Sequence, residues 1–132
     1  MSNVQVVMEA YERFARGDVP SLLALFDAEI EFRLAEGHPY SPEGEPWIGP
    51  REVAENFFTR AAGEWDGWTI SPHEFHEAAD AVVVECRYHG VYKPTDKEMD
   101  IQVCHVWKVG DGRIKSFQQY IDTARLQRIM LR

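Results

Sequence analysis

Two alternating apolar runs, joined by Gly110-Asp111-Gly112, occupy the stretch from Ile101 to Asp122. Asp-Gly between such runs predicts a tight β-hairpin, because both turn residues must adopt positive φ. A two-residue Asp111-Gly112 turn pairs Gly110 with Arg113 and sets every later pair. In an unbroken ladder His105 faces Gln118, Val103 faces Tyr120 and Ile101 faces Asp122. Side chains alternate between the faces of a strand. His105, Gln118, Tyr120 and Asp122 are therefore expected beside Ile101, Val103, Trp107 and Ile114. An apolar surface with a few convergent polar groups is the usual make-up of a small-molecule site.

The rest of the chain reads as helices first and strands afterwards. Val4, Val7, Met8, Tyr11, Phe14 and Ala15 recur at helical spacing, with Ser2 or Asn3 as N-cap and Gly17 as the stop. Asp18 can cap a second helix that carries Pro20, Leu22, Leu23, Leu25 and Phe26. Ile30, Phe32 and Leu34 then alternate with charged residues as a strand. A loop rich in glycine and proline runs from Ala35 to Pro50, long enough to act as a lid. A third helix buries Val53, Ala54, Phe57, Phe58 and Ala61. Strands are expected near 65–77, 80–92, 98–109 and 113–121, with a turn at Pro94-Thr95-Asp96-Lys97 and a closing helix from Thr123 to Met130. That order is α+β. It implies a curved, mostly antiparallel sheet wrapped around the N-terminal helices as a cone with an internal pocket, one domain over residues 1–132.

The net charge of −8, with basic residues scattered, leaves no patch for nucleic acid or an anionic membrane surface. No apolar run approaches the ~20 residues of a membrane helix, and no secretory signal is visible. Cys86 and Cys104 fall on opposite faces of neighbouring strands, where they cannot form a disulfide. A reduced, cytoplasmic protein is expected. With Val82, Val84, Cys86 and Tyr88 inside, the regular ladder turns Phe117, Gln119 and Ile121 outward beside Val83, Val91 and Val106. Such an outer apolar patch predicts a homodimer through the outer face of the sheet. The alternative is a bulge that returns these residues to the core.

Several local patterns coincide: Tyr11-Glu12-Arg13-Phe14-Ala15-Arg16-Gly17-Asp18, Leu22-Leu23-Ala24-Leu25-Phe26-Asp27, His105-Val106-Trp107-Lys108-Val109-Gly110-Asp111-Gly112-Arg113-Ile114, and Gln119-Tyr120-Ile121-Asp122-Thr123. Together they resemble the SnoaL-like branch of the nuclear transport factor 2-like superfamily, and through it the ketosteroid isomerases, limonene-epoxide hydrolases and polyketide cyclases. The resemblance specifies the fold better than the reaction. It places the isomerases' helix tyrosine at Ala10, their basic aspartate at Phe32 and their donating acid at His105. The hydrolases' arginine and first aspartate fall near Cys86 and Tyr88, and their last aspartate at Asp122. The acid/base aspartate of the cyclases matches Asp122, and His105 resembles their pocket histidine.

The resemblance therefore implies a small apolar organic ligand and cofactor-free acid/base chemistry on a carbonyl compound, an isomerisation or an aldol-type cyclisation. Asp122 would move the proton, and His105, with Tyr88 or Tyr120, would hold the enolate oxygen. Equally, Asp122 can simply cap the last helix and His105 can be a satisfied core histidine. A non-catalytic binding protein or a dimerisation module of the same fold is the alternative. Tyr11, Phe14, Phe32, Trp47, Phe57, Cys86, Val103, Trp107 and Gln118 are expected to line the pocket, Trp47 from the loop. His73 and His76, three residues apart on a strand, are expected on opposite faces, so no metal site is assembled.

Overall fold

A computed structural model describes residues 1–131. Helix α1 spans Asn3–Ala15, and its start is fixed by a capping box in which Ser2 and Gln5 exchange side-chain and backbone hydrogen bonds. Gly17, at φ 72°, ends it. Asp18 caps α2 (Val19–Leu23) by accepting from the Ser21 amide. Strand β1 (Phe26–Arg33) leads through the loop to the short β2 (Trp47–Ile48). The third helical stretch consists of α3 (Gly49–Val53), a π-helical turn (Ala54–Phe58) and α4 (Thr59–Glu64). The π turn buries the adjacent Phe57 and Phe58 together. Strands β3 (Trp65–Glu77), β4 (Ala81–Tyr92), β5 (Lys97–Gly110) and β6 (Arg113–Ile121) follow, and α5 (Thr123–Met130) closes the chain. No helix among the described residues is long and apolar enough to cross a membrane.

The six strands form one sheet in the order β2-β1-β6-β5-β4-β3, antiparallel except where β1 pairs with β6. Asp111 and Gly112 both have positive φ, and Gly110 pairs with Arg113 as the turn requires. The β4–β5 register sets Cys86 opposite Val103 and Glu85 opposite Cys104. Cys86 is thus buried, Cys104 lies on the other face, and both are free thiols.

The β5–β6 register departs from the regular ladder. Val109 pairs with Ile114 but Lys108 pairs with Ser116, so Lys115 is an extra, unpaired residue. This bulge reverses the alternation of everything after it. His105 faces Gln119, not Gln118, and Cys104 rather than Val103 faces Tyr120. Phe117 and Gln119 are buried, Ile121 packs against the core, and Tyr120 is 57% exposed. The expected shared face of His105 with Gln118, Tyr120 and Asp122 is therefore corrected. The expected outer patch loses Phe117 and Ile121 as well and keeps the half-buried Val83, Val91 and Val106. The outer face instead carries ion pairs such as Arg87 with Asp100 and His76 with Glu85.

The inner face of the sheet packs against α1 and the third helical stretch. Stacking of Phe32 on Phe117, with centroids 4.2 Å apart, ties the parallel β1–β6 pair into that core. Trp47 lies beside Phe32 and Phe57. The long loop is pinned rather than free. Tyr40 donates to Glu64 at 2.6 Å, receives the Trp65 indole N–H at 3.1 Å, and lies under the Arg60 guanidinium.

Candidate functional site

Five polar side chains meet in the core. Helix α1 supplies Tyr11, one position beyond the Ala10 that the resemblance marks; β4 supplies Tyr88, β5 supplies His105 and Trp107, and the bulged β6 supplies Gln119. The Tyr11 hydroxyl lies 2.6 Å from His105 Nδ1, and the Tyr88 hydroxyl lies 2.6 Å from His105 Nε2. Trp107 Nε1 donates to the Tyr11 oxygen at 2.9 Å, and Gln119 Nε2 donates to the Tyr88 oxygen at 3.2 Å. The Gln119 carbonyl oxygen in turn accepts from the Ala35 amide. Rings close the imidazole in, with Tyr11 stacked on it and Phe117 at 4.7 Å.

This environment keeps His105 neutral. Its ring is 1% exposed, and burial pushes the imidazole down to about 3. Phenols at both nitrogens satisfy its hydrogen bonding without supplying the carboxylate that would stabilise a cation. Burial likewise drives the Tyr11 and Tyr88 phenols up, and the Cys86 thiol, 3.7 Å from His105 Nδ1, up to about 12. At neutral pH the whole cluster is uncharged.

The network borders a chamber of about 30 Å³, walled by Tyr11, Phe14, Phe32, Phe57, Tyr88, His105, Trp107 and Phe117, among others. A void of about 20 Å³ lies on the other side of Tyr88, against His38, Tyr40 and Trp68. Phe14, Phe58 and Ile70 separate the chamber from a surface cleft of about 400 Å³ between α1, α4 and β3. No residue lining chamber or cleft carries a formal charge at neutral pH. Trp68, on the cleft wall, has a buried indole N–H with no acceptor among the described residues.

The expected site residues divide between two places. His105, Tyr11, Phe14, Phe32, Phe57, Tyr88 and Trp107 gather at the chamber, with Trp47 packed behind Phe32. Asp122 lies elsewhere, as N-cap of α5, accepting from the Arg125 amide at 3.1 Å. With Tyr120, Cys86 and Val103 it borders an open groove of about 560 Å³ toward the outer face. Gln118 reaches the Leu34 and Gln119 carbonyls. Sequence reasoning missed Gln119, Phe58 and Trp68. For Gln119 a signal existed, because Ile114 and Phe117 are three apart and no unbroken strand buries both.

A second bulge corrects the histidine expectation on β3. Pro72 pairs with Cys86 and Glu74 with Glu85, leaving His73 unpaired, and His73 borders the outer groove with Glu85. Glu74, His76 and Glu85 bring ligand atoms within 4.8 Å of one another, all exposed, and His76 bonds Glu85 directly at 2.6 Å. That pairing raises the His76 imidazole and lowers the Glu85 carboxyl.

The model of the SnoaL-like domain matches residues 7–117. An NTF2-like protein from Burkholderia thailandensis superposes with a TM-score of 0.85 at 32% identity, over 93% of this chain and 95% of its own. An NTF2-like protein of unknown function from Burkholderia pseudomallei gives 0.89 at 27% identity, over 100% of both chains. TerC, co-crystallised with polyporic acid, gives 0.85 at 21% identity over 96% of both. No curated protein sequence is significantly similar to the chain. Matched by that family's model over most of its length, and by related structures throughout, the chain belongs to the SnoaL-like domain family.

Proposed function

We propose that the protein binds a small, uncharged, carbonyl-bearing apolar compound in the cleft and chamber, and performs cofactor-independent acid/base chemistry on it. The observation that carries this reading is the Tyr11–His105–Tyr88 network, a fully buried set of proton-bearing groups beside an otherwise apolar chamber. Buried polar groups cost stability unless satisfied, and an apolar core of the same shape would be the cheaper structural solution. The proton-handling role moves from Asp122 to the network, because Asp122 is engaged as a helix cap away from the chamber. The polyporic acid bound by TerC, which shares the fold, supports a small-molecule ligand.

Size and charge set the ligand class. The cleft is within the usual range of small-molecule sites, whereas the chamber as it stands holds about one water. A ligand therefore enters by displacing Phe14, Phe58 or Ile70. With no cation on the lining, a carboxylate would lose its hydration without compensation. Titration with acetophenone and with benzoate, followed by the indole N–H resonances of Trp68 and Trp107, tests this. Acetophenone should shift them saturably while benzoate leaves them in place. Equal binding of both, or of neither, refutes the proposal.

The chamber's small volume favours one other reading, a non-catalytic assembly module whose aromatic core fills the cavity. Under that reading the indole resonances stay unchanged with both compounds.

A further inference from the structure

The hydrogen-bond count in the core network does not close, and the remainder defines a chemistry. Each phenol oxygen has one outside N–H donor, Trp107 for Tyr11 and Gln119 for Tyr88, and one nitrogen of the same imidazole. A neutral imidazole offers one N–H and one bare nitrogen. At the bare nitrogen a phenol donates its proton. At the N–H the other phenol accepts, and its own proton has no partner among the described residues. Two phenolic protons compete for one lone pair, so one is left over in either tautomer. The two tautomers differ in which phenol holds it; the Cys86 sulfur near Nδ1 is the main asymmetry between the ends.

We propose that Tyr11, His105 and Tyr88 form a two-ended proton relay that interconverts the keto and enol forms of a neutral substrate, such as a 1,3-dicarbonyl compound. This rests on the pocket reading above. In the forward direction the surplus Tyr88 proton goes to the substrate carbonyl oxygen, and His105 Nε2–H passes its proton to the Tyr88 oxygen. Tyr11 gives its proton to Nδ1 and takes one from the substrate carbon. Four protons each move across one contact, the C–H electron pair becomes the C=C bond, and the carbonyl π pair becomes the O–H bond. The protein ends with the same number of protons and the opposite imidazole tautomer. The reverse reaction, or exchange with one water, resets it. The Trp107 and Gln119 donors oppose charge build-up on either phenol oxygen during the transfer.

The relay explains two features at once. A carboxylate in the chamber would fix the imidazole as a cation and stop the exchange of tautomers, and none lines it. Each phenol also has its own neutral donor, which a merely structural histidine does not require.

Ketonisation of the enol of 1-phenylbutane-1,3-dione, followed by its ultraviolet absorbance, tests the proposal alongside equilibrium binding of the same compound. The wild type should bind it and accelerate ketonisation roughly a hundredfold, the scale of one general acid–base contribution. Tyr11→Phe and Tyr88→Phe should each abolish the acceleration. His105→Gln keeps one donor and one acceptor but cannot interchange them, so it should bind the diketone and fail to turn it over. Nitrogen-15 shifts of His105 should move from a mixture of tautomers toward one when the diketone binds, which a packing role would not produce. Binding without acceleration, or a phenylalanine variant as fast as the wild type, overturns the relay and leaves the pocket reading standing. Absence of binding removes the pocket reading and the relay with it.

Discussion

Mild acid should destabilise this protein well before its carboxylates protonate. His105 and His38 are both buried, and burial holds each imidazole down to about 3 from an ordinary 6.5. The unfolded chain binds protons at both near 6.5 while the native chain binds neither. Stability is therefore complete above pH 6.5 and drains away as the pH falls toward 3. Within that window each histidine contributes a slope of about 1.4 kcal/mol per pH unit. Integrated from pH 7 to pH 5, the loss is about 2 kcal/mol for each and about 4 kcal/mol for the pair. Against a typical total of about 5–15 kcal/mol this is a large share. His76 acts in the opposite sense, because Glu85 raises it, but that pair is solvent-exposed and screened. Urea unfolding at pH 7, 6 and 5, followed by tryptophan fluorescence, measures the effect. His105→Gln should be less stable at pH 7 yet lose only about half as much between pH 7 and 5. Equal wild-type stability at the two ends, or a full slope in His105→Gln, would refute a neutral buried imidazole.

Two further substitutions separate the core network from the outer groove. Gln119→Leu strips a partner from both the Ala35 amide and the Tyr88 oxygen, and should cost about 2–6 kcal/mol in denaturant unfolding, since each buried group that loses its partner costs about 1–3. Asp122→Ala removes the α5 cap and should cost about 1 kcal/mol, visible as a lower unfolding midpoint; diketone binding should be unchanged, and its loss would return Asp122 to the site.

Most of the architecture is legible in the chain because its signals are local. The Asp111-Gly112 turn, the Ser2 and Asp18 caps, Gly17 as a stop and the alternation in β4 and β5 each follow from one residue's own backbone or packing preference. What escapes is the count of residues across a ladder. The inserted Lys115 costs one residue of register and turns over every side chain after it on the strand, and the His73 bulge does the same on β3. A bulge is stabilised by what it buries, here Phe117 against Phe32 and Gln119 against Tyr88, contacts between elements far apart in sequence. In β6 a trace survives as the odd spacing between Ile114 and Phe117. In β3 a similar trace survives, because Ile70 and Phe75 are five residues apart and both pack against the core.

The Lys115 bulge also decides which polar groups of β6 reach the inner face. In an unbroken ladder Gln118, Tyr120 and Asp122 would have shared the inner face with His105. Asp122 would then have sat opposite Ile101, four residues along the strand from His105 and roughly 13 Å from it, on the inner face but out of contact with the imidazole. The bulge exchanges Gln118 for Gln119 opposite His105, so a group that donates and accepts without ionising faces the imidazole in either register. The carboxylate is left at a helix terminus, where it is satisfied by a backbone amide. The interior that results has no formal charge on its lining at neutral pH, and under the relay proposed above it would suit substrates whose transition states spread charge rather than concentrate it. The SnoaL-like fold can in this way change which polar groups line its interior through register alone, with each residue type already present in the strand.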